Sequence, residues 1–579
     1  MHSVSTGLNP DVVILGGGMA GLTLARQLLL ETDRTILLLE RRDSLPPKRQ
    51  KVGEATVQVG GHYLGKVLDL EAHLLHEHFM KYNLRFYWPG GATEGSRFED
   101  FGHVAIRPFS NVPSYQINRN NLEAELIRRN LASPRFELVT GVRKLDVEIC
   151  DEPPHRVSFV ADGEPRAVRT PWVIDATGRG RYLARRLKLT RPMPIEHDAV
   201  FWWVEGTVDI ERLTDRSRRE VRLGASRADI GHLPVFLATN QFMSEGLWFW
   251  VIPLHGKTSL GLVYDRRVLD GAEVNTAEKA TEWVCARFPL FARDLPQRTI
   301  LDESQMRSFS HDCERTLSAG GWAMTGEAGR FTDPLYSPGT DLIAIHNTLI
   351  TAAIALNDAP DRDMIFELYE QILRAVAHAY VPSYGTSYDA LGDQEAFALK
   401  YGWELAVYFV AYVFPFLNDL FTDRRFLLAF LRFFTRLGPI NQGLHGLLSE
   451  FYQYKREHHS PPSHPVYFDL MSFPALQEAE RCFYRIGIGI DEAREVLREQ
   501  LAHLEEMARF IVSHVVSVVE GDSAVLSCSE FVTGIDLTAG RLGLDEQCRR
   551  WREITRPDSA HRWSGDPTAM QCFREAGAA

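Results

Sequence analysis

A short apolar run near the start of the chain, Val12-Val13-Ile14-Leu15, leads directly into Gly16-Gly17-Gly18-Met19-Ala20-Gly21. A helix-forming segment, Leu22 to Leu30, follows, and a second apolar run from Thr35 to Leu39 ends in Glu40. Strand, Gly-x-Gly-x-x-Gly turn, helix, second strand and acid, in that order, predict a βαβ unit. Gly16 makes the tight turn, Gly18 lets the backbone approach a pyrophosphate, and Gly21 lets the helix pack closely on the strand. Unpaired N–H groups and the dipole at the helix N-terminus favour negative charge. Glu40 stands 24 residues after Gly16, near the spacing of a carboxylate that binds a ribose hydroxyl. The chain is therefore expected to hold a dinucleotide.

At 579 residues the chain exceeds what one core organises, so two to four domains are expected. A net charge of −12 argues against a nucleic-acid partner, which needs a basic surface. Seven scattered cysteines without a Cys-x-x-Cys pair support neither a zinc site nor a disulfide framework, so a reducing cytoplasm and no metal are expected. The N-terminus lacks a basic-then-apolar signal pattern. The most lipid-like stretch, Leu405 to Leu417, is too short for the roughly 20 residues of a membrane span and reads as a buried or interfacial helix. His458, His459 and His464 around Ser460-Pro461-Pro462 read as a polar loop.

Two later segments decide between dinucleotides. Thr170 to Arg179 reads as a strand ending in a small-residue turn, Ala176-Thr177-Gly178. Gly321 to Phe331 reads as another strand, a glycine turn with an acid at Gly326-Glu327, and then the start of a helix. Here the chain resembles the FAD-binding fold shared by aromatic hydroxylases and flavin-dependent halogenases. The resemblance implies FAD rather than NAD, in a single-Rossmann arrangement of the GR2 type without a separate NADPH domain. Glu327 departs from the aspartate usual at its position, and Arg119 resembles an arginine on the helix facing the flavin. Carried over position by position, the cofactor contacts implied are Gly16, Gly18, Ala20, Gly21, Glu40, Arg41, Val52, Gly53, Glu54, Ala55, Arg119, Val142, Ala176, Thr177, Gly178, Gly326, Glu327, Gly339 and Thr340.

Three segments narrow the resemblance. Lys51-Val52-Gly53-Glu54-Ala55-Thr56 is similar to the loop that covers the flavin in halogenases. Trp248-Phe249-Trp250-Val251-Ile252-Pro253 matches the Trp-x-Trp-x-Ile-Pro signature that separates halogenases from hydroxylases. It opens a predicted hairpin, continued by the alternating run Lys257 to Asp265, with both tryptophans on one face. Lys81, five residues before Phe86, matches the lysine between flavin and substrate that holds or delivers the electrophilic halogen. Burial in an apolar tunnel would lower its pKa. Two further positions depart from the family. Tyr336 replaces the glutamate of tryptophan halogenases, which shifts the reading toward phenol- and pyrrole-type substrates. Pro338 removes a backbone donor from the turn that holds halide.

The fold expected is α/β plus helical. An FAD-binding Rossmann-like domain, discontinuous over residues 9–375, carries an inserted substrate sheet at about 190–305, and a helical C-terminal region covers 376–579. Within that region Phe409, Phe414, Phe416 and Phe421 read as core, with the lining of a substrate channel as the alternative. The activity implied is halogenation of an electron-rich, phenolic or carrier-bound small molecule, with chloride or bromide as co-substrate and FAD reduced by a separate flavin reductase. A monooxygenase or oxidase on the same scaffold is the alternative, favoured by Pro338 and Glu327 and opposed by Trp248, Trp250 and Lys81. A non-catalytic flavin protein is the third reading.

Overall fold

In the computed structural model the glycine-rich turn joins two strands of one sheet. The structure describes residues 10–91, 94–106, 110–217, 219–220, 235–356, 361–458, 462, 464–554 and 560–575. The N-terminal segment and the expected loop at His459, Ser460 and Pro461 lie outside the described residues. Six strands run in the order Leu317–Ser318, Trp322–Met324, Trp172–Asp175, Val12–Leu15, Ile36–Leu39, Phe136–Val139, and all pairings but the first are parallel. The central strands are buried throughout, which is why they read as unbroken apolar runs rather than alternating ones. Helices Met19–Glu31 and Gly339–Ala355 pack together on one face. On the other face a three-stranded antiparallel sheet, residues 143–170, closes a second core around Val13, Leu37, Val157 and Phe159.

An eight-stranded sheet forms the second layer. Its order is Ile300–Met306, His197–Glu205, Lys257–Asp265, Leu247–Leu254, Thr239–Ser244, Leu84–Pro89, Phe101–Ala105, Tyr467–Asp469. The expected hairpin is present, with Trp248 opposite Val263 and Trp250 opposite Gly261. Period-two alternation splits its side chains between two cores. Trp248, Trp250 and Ile252 join the main core, whereas Leu247, Phe249 and Val251 join a separate cluster under helix Ala277–Arg287.

Three expectations need correction. The sheet is not confined to about 190–305, because it recruits Leu84–Pro89 and Phe101–Ala105. The C-terminal third is not wholly helical, since Tyr467–Asp469 pairs in parallel with the edge at His103–Ala105. Such pairing spans over 300 residues and leaves no periodic trace in the sequence. Nor does a helix start directly behind Gly326-Glu327. That turn is a single 3-10 turn, and the helix begins at Gly339, after Pro334 and Pro338.

The rest of the C-terminal third is built on long helices. Gln394–Tyr408 is capped by the Asp393 side chain accepting from the Ala396 N–H, and Arg424–His458 packs along Ile490–Glu520. Leu405–Leu417 is buried within this body, with Phe409, Phe414, Phe416 and Phe421 in the core. No helix among the described residues is long and apolar enough to cross a membrane.

Candidate active site

The three glycines of the first turn answer to different constraints. Gly16 has φ +111°, and a Cβ there would lie 2.4 Å from the Ala176 carbonyl oxygen. A Cβ on Gly21 would lie 2.2 Å from the Gly16 oxygen. Both are fixed by packing. A Cβ on Gly18 meets nothing within 4 Å. Gly18 also precedes a helix whose first turn has no side-chain cap, so its N–H groups face open space. Glu40, 4% exposed, accepts from the Gly17 N–H and the Arg42 N–H, each at 2.8 Å. Val142 backs it through its N–H to the Glu40 carbonyl at 3.0 Å, and Arg41 is exposed beside it. The Ala176-Thr177-Gly178 turn hangs from Asp175, whose carboxylate accepts from the Thr177 N–H and hydroxyl. Ala20 abuts the Gly326 turn, where an added Cβ would come within 3.0 Å of it. Open space at Gly18 together with an uncapped helix end fits a dinucleotide phosphate.

Beyond this turn lies a cavity. Val52, Gly53, Glu54, Ala55, Arg119, Trp248, Trp250, Gly326, Glu327, Gly339 and Thr340 line it. Arg119 opens the helix Arg119–Leu131, where the Asn118 side chain caps the first turn. Its guanidinium donates to the Val52 carbonyl at 2.7 Å and to Glu123 at 2.9 Å. Lys51 pairs with the same Glu123, so the start of the 51–55 loop is tied to the helix twice. Gly53, at φ +88°, passes where a Cβ would be 2.7 Å from the Arg119 guanidinium. Glu54 accepts from the Trp203 indole N–H at 2.6 Å. Burial pushes the Glu54 carboxyl up to about 7, against the opposing pull of Trp203, Ser259, Lys257 and Arg119. Burial likewise raises Glu327, with Arg179 and Arg119 opposing.

Trp248 and Trp250 lie on one face with ring centroids 5.6 Å apart, and their indoles donate to the Tyr388 hydroxyl and the Ser259 hydroxyl. Gly261 is required opposite Trp250, since a Cβ would meet that ring at 2.2 Å. Pro253 pairs with Thr258 in the same hairpin and does not line the cavity that Trp248 and Trp250 border.

Lys81 opens onto a second, smaller cavity, shared with Tyr336, Pro338, Asp341, Tyr401, Glu404 and Tyr408. Its side chain is buried and donates to the Thr56 carbonyl at 2.8 Å. Burial lowers the amine to about 7, with the Asp341 carboxylate opposing. Asp341 accepts from the Gly60 N–H and the Tyr408 hydroxyl, each at 2.7 Å, and burial raises it to about 7.

The segment Pro334–Thr340 is the wall between the two cavities. Pro334, Ser337, Gly339 and Thr340 border the first, and Tyr336 and Pro338 the second. Tyr336 and Ser337 sit at φ +69° and +62°, two consecutive side-chain-bearing residues in the left-handed region. Such strain persists where the surroundings over-determine it. Pro338 caps the helix Gly339–Ala355, accepting from the Leu342 N–H at 3.0 Å. The N–H groups of the first turn behind it have no intrahelical acceptor.

Lys81, Tyr336 and Pro338 thus share one cavity, while Trp248 and Trp250, grouped with Tyr336 and Pro338 as substrate pocket or signature from the sequence, border the other. Sequence reasoning missed Asp341 and Glu404. It also missed His346, which faces the larger cavity with neither ring nitrogen hydrogen-bonded and is held near 3 by burial and Arg330. Lys400 and Glu404 are the only charged residues between Ala396 and Leu417, a signal that was present in the sequence.

No protein-family model matches the chain. Among curated proteins it is 26% identical over 429 residues, 69% of each chain, to the flavin-dependent halogenase chlA of Dictyostelium discoideum. It is 25% identical over 360 residues to the 1H-pyrrole-2-carbonyl-(peptidyl-carrier protein) brominase of Pseudoalteromonas luteoviolacea (strain 2ta16), covering 61% of this chain and 78% of that one. Among solved structures, halogenase PltM superposes with a TM-score of 0.60 at 16% identity, over 86% of this chain and 96% of that one. PltM in complex with phloroglucinol and FAD gives a TM-score of 0.58 at 15% identity, over 86% and 97%. The chain is similar in sequence to flavin-dependent halogenases and shares their fold.

Proposed function

We propose that this chain is an FAD-dependent halogenase acting on an electron-rich, phenolic small molecule, free or carrier-bound. The observation that carries the reading is a desolvated lysine in a cavity of its own, divided only by the Pro334–Thr340 turn from a larger cavity bordered by the tryptophan pair. The sequence similarity to chlA and to the carrier-protein brominase supports the chemistry, and the phloroglucinol complex of PltM supports a phenol.

Gly16, Gly18, Gly21, Glu40 and the Ala176–Gly178 turn would hold the adenine-dinucleotide half of FAD. Arg119, the Val52–Ala55 loop and Gly326-Glu327 would hold the flavin half. When bound and reduced, the flavin supplies the means to activate O2 and so to oxidise halide. The residues of this chain do the rest. The Gly339 and Thr340 N–H groups, at the positive end of a 17-residue helix, receive the anion. Lys81 holds the electrophilic halogen on the far side of the turn. A lowered amine pKa leaves a neutral fraction near pH 7, able both to donate and to accept. Burial of Lys81 keeps water from consuming the electrophile.

A separate flavin reductase supplies the electrons on this reading, since among the described residues the glycine-rich βαβ turn occurs once. None of the seven cysteines is paired, which supports the cytoplasm as its compartment. A second reading, direct oxygenation, is favoured by Pro338, which offers the turn no N–H.

Mass spectrometry of a phenol panel with a flavin reductase, in chloride, bromide and halide-free buffer, separates the two. Halogenated product with a saturating halide dependence is expected. Oxygenated product at an equal rate without halide would overturn the halogenase reading.

A further inference from the structure

We propose that Glu404 is the anchor for the substrate's hydroxyl in the Lys81 cavity, a role that rests on the halogenase reading and supplies the carboxylate missing at Tyr336. Glu404 stands on the helix Gln394–Tyr408, on the same stripe as Tyr401 and Tyr408 at spacings of three and four, and all three border the cavity. Its side chain is only 9% exposed. One carboxylate oxygen, Oε1, is taken by the Lys400 ammonium, which the Ser383 hydroxyl holds in turn at 2.7 Å. The His445 imidazole stands 3.6 Å from the same oxygen and is fixed by Ser387. The other oxygen, Oε2, is buried without a hydrogen-bond partner.

A buried carboxylate oxygen left unpaired is costly, and a bound donor relieves that cost. The other carboxylate of the cavity is already engaged. Both oxygens of Asp341 accept protein donors. The Tyr336 hydroxyl lies against Glu404 but outside hydrogen-bond geometry, and its ring stacks on Tyr401 at 4.7 Å. Leu84, Leu405 and Phe409 are apolar, and Gln58, Asn83, Ser114 and Tyr380 add only neutral polar groups. Aromatic walls, one unpaired anionic acceptor and the Lys81 amine fit an arene bearing an O–H donor. Methylating that oxygen removes the donor and leaves Oε2 unpaired beneath the ligand.

The test is calorimetric titration of 4-methylphenol and 4-methylanisole into the FAD-loaded protein, without reductant or halide. The parent should prefer the phenol by about 10–100-fold, the worth of a hydrogen bond to a charged acceptor. Glu404→Gln, which keeps the shape and offers only a neutral acceptor, should weaken the phenol about tenfold and leave the ether unchanged. Flavin absorbance and the melting temperature check that the variant is folded. The parent comparison needs no variant at all. A parent without preference for the phenol, or a folded Glu404→Gln with the parent's phenol affinity, overturns the proposal. Either result alongside halide-dependent product removes Glu404 alone, whereas the expected binding pattern without halogenated product removes the halogenase reading and keeps the anchor.

Discussion

Gly18 offers a clean separation of fold from cofactor. Its φ of −87° is open to any residue, and a Cβ there touches nothing within 4 Å. Gly18→Val should therefore leave the FAD-free protein within about 1 kcal/mol of the parent, since no contact is broken and only a helix-flanking glycine is lost. In the dinucleotide complex the same branched side chain would stand where the phosphates meet the Met19–Glu31 helix. Losing two charge-assisted hydrogen bonds of about 1.5–3 kcal/mol each amounts to about 3–6 kcal/mol, or roughly 10²–10⁴-fold in affinity. Gly16→Ala is the counterpart. Its Cβ would meet the Ala176 carbonyl at 2.4 Å in a backbone conformation closed to side chains, so the FAD-free protein itself should lose about 2–4 kcal/mol. The assay is flavin fluorescence titration beside urea unfolding with and without FAD. Ligand-linked stabilisation should vanish in Gly18→Val alone while its FAD-free midpoint holds. A Gly18→Val protein that binds FAD within threefold of the parent would refute the phosphate assignment.

Three further outcomes are expected. Lys81→Ala should lower halogenated product by about 10²–10⁴-fold while flavin reoxidation by O2 keeps its rate, read by product mass spectrometry and stopped-flow absorbance; equal product from both proteins removes Lys81 from the reaction. Glu54 is raised from 4.5 to about 7 in the folded chain, so its stability contribution is full below pH 4.5 and is lost as pH rises through 7; Glu54→Gln should remove up to about 3 kcal/mol of that decline, compared by urea unfolding of FAD-free protein at pH 5 and 8, with Asp341 leaving a residual slope. Pro338→Thr restores an N–H at a helical φ of −76° and should lower the half-saturating chloride concentration about tenfold, with a smaller gain for the more easily desolvated bromide; unchanged halide dependence would place the anion elsewhere.

The Rossmann-like half was legible because its determinants are local. Glycines at fixed spacing, four-residue apolar runs and an acid at the second strand end all report on neighbours within 30 residues. The Trp248–Asp265 hairpin was legible for the same reason, its turn and alternation being contiguous. What stayed hidden was non-local. Nothing in Tyr467–Asp469 names Phe101–Ala105 as its partner, and nothing in Leu84–Pro89 says that it extends the sheet through Thr239–Ser244. The late start of the Gly339 helix was readable in principle, since prolines at 334 and 338 forbid an earlier continuous helix. Their message was overridden by the helix expected behind Gly326-Glu327.

The candidate site shows the same division with a chemical consequence. Read along the chain, Tyr336 in place of a glutamate looks like the loss of a carboxylate from the reaction centre. Folded, the segment carrying Tyr336 is strained at two consecutive residues and serves as a wall, and the carboxylate reaches the same cavity from Glu404, on a helix 68 residues further along the chain. A carboxylate on an apolar helix is expensive to bury, and here Lys400 one turn earlier and His445 on the neighbouring long helix flank one oxygen. Those partners belong to the helical third, which showed no catalytic motif in the sequence. On the proposed reading, then, the βαβ half fixes where the cofactor lies, the Pro334–Thr340 turn fixes the passage, and the Gln394–Tyr408 helix decides which arene is accepted. Substrate preference should accordingly follow exchanges at Tyr401, Glu404 and Tyr408, and FAD affinity should not.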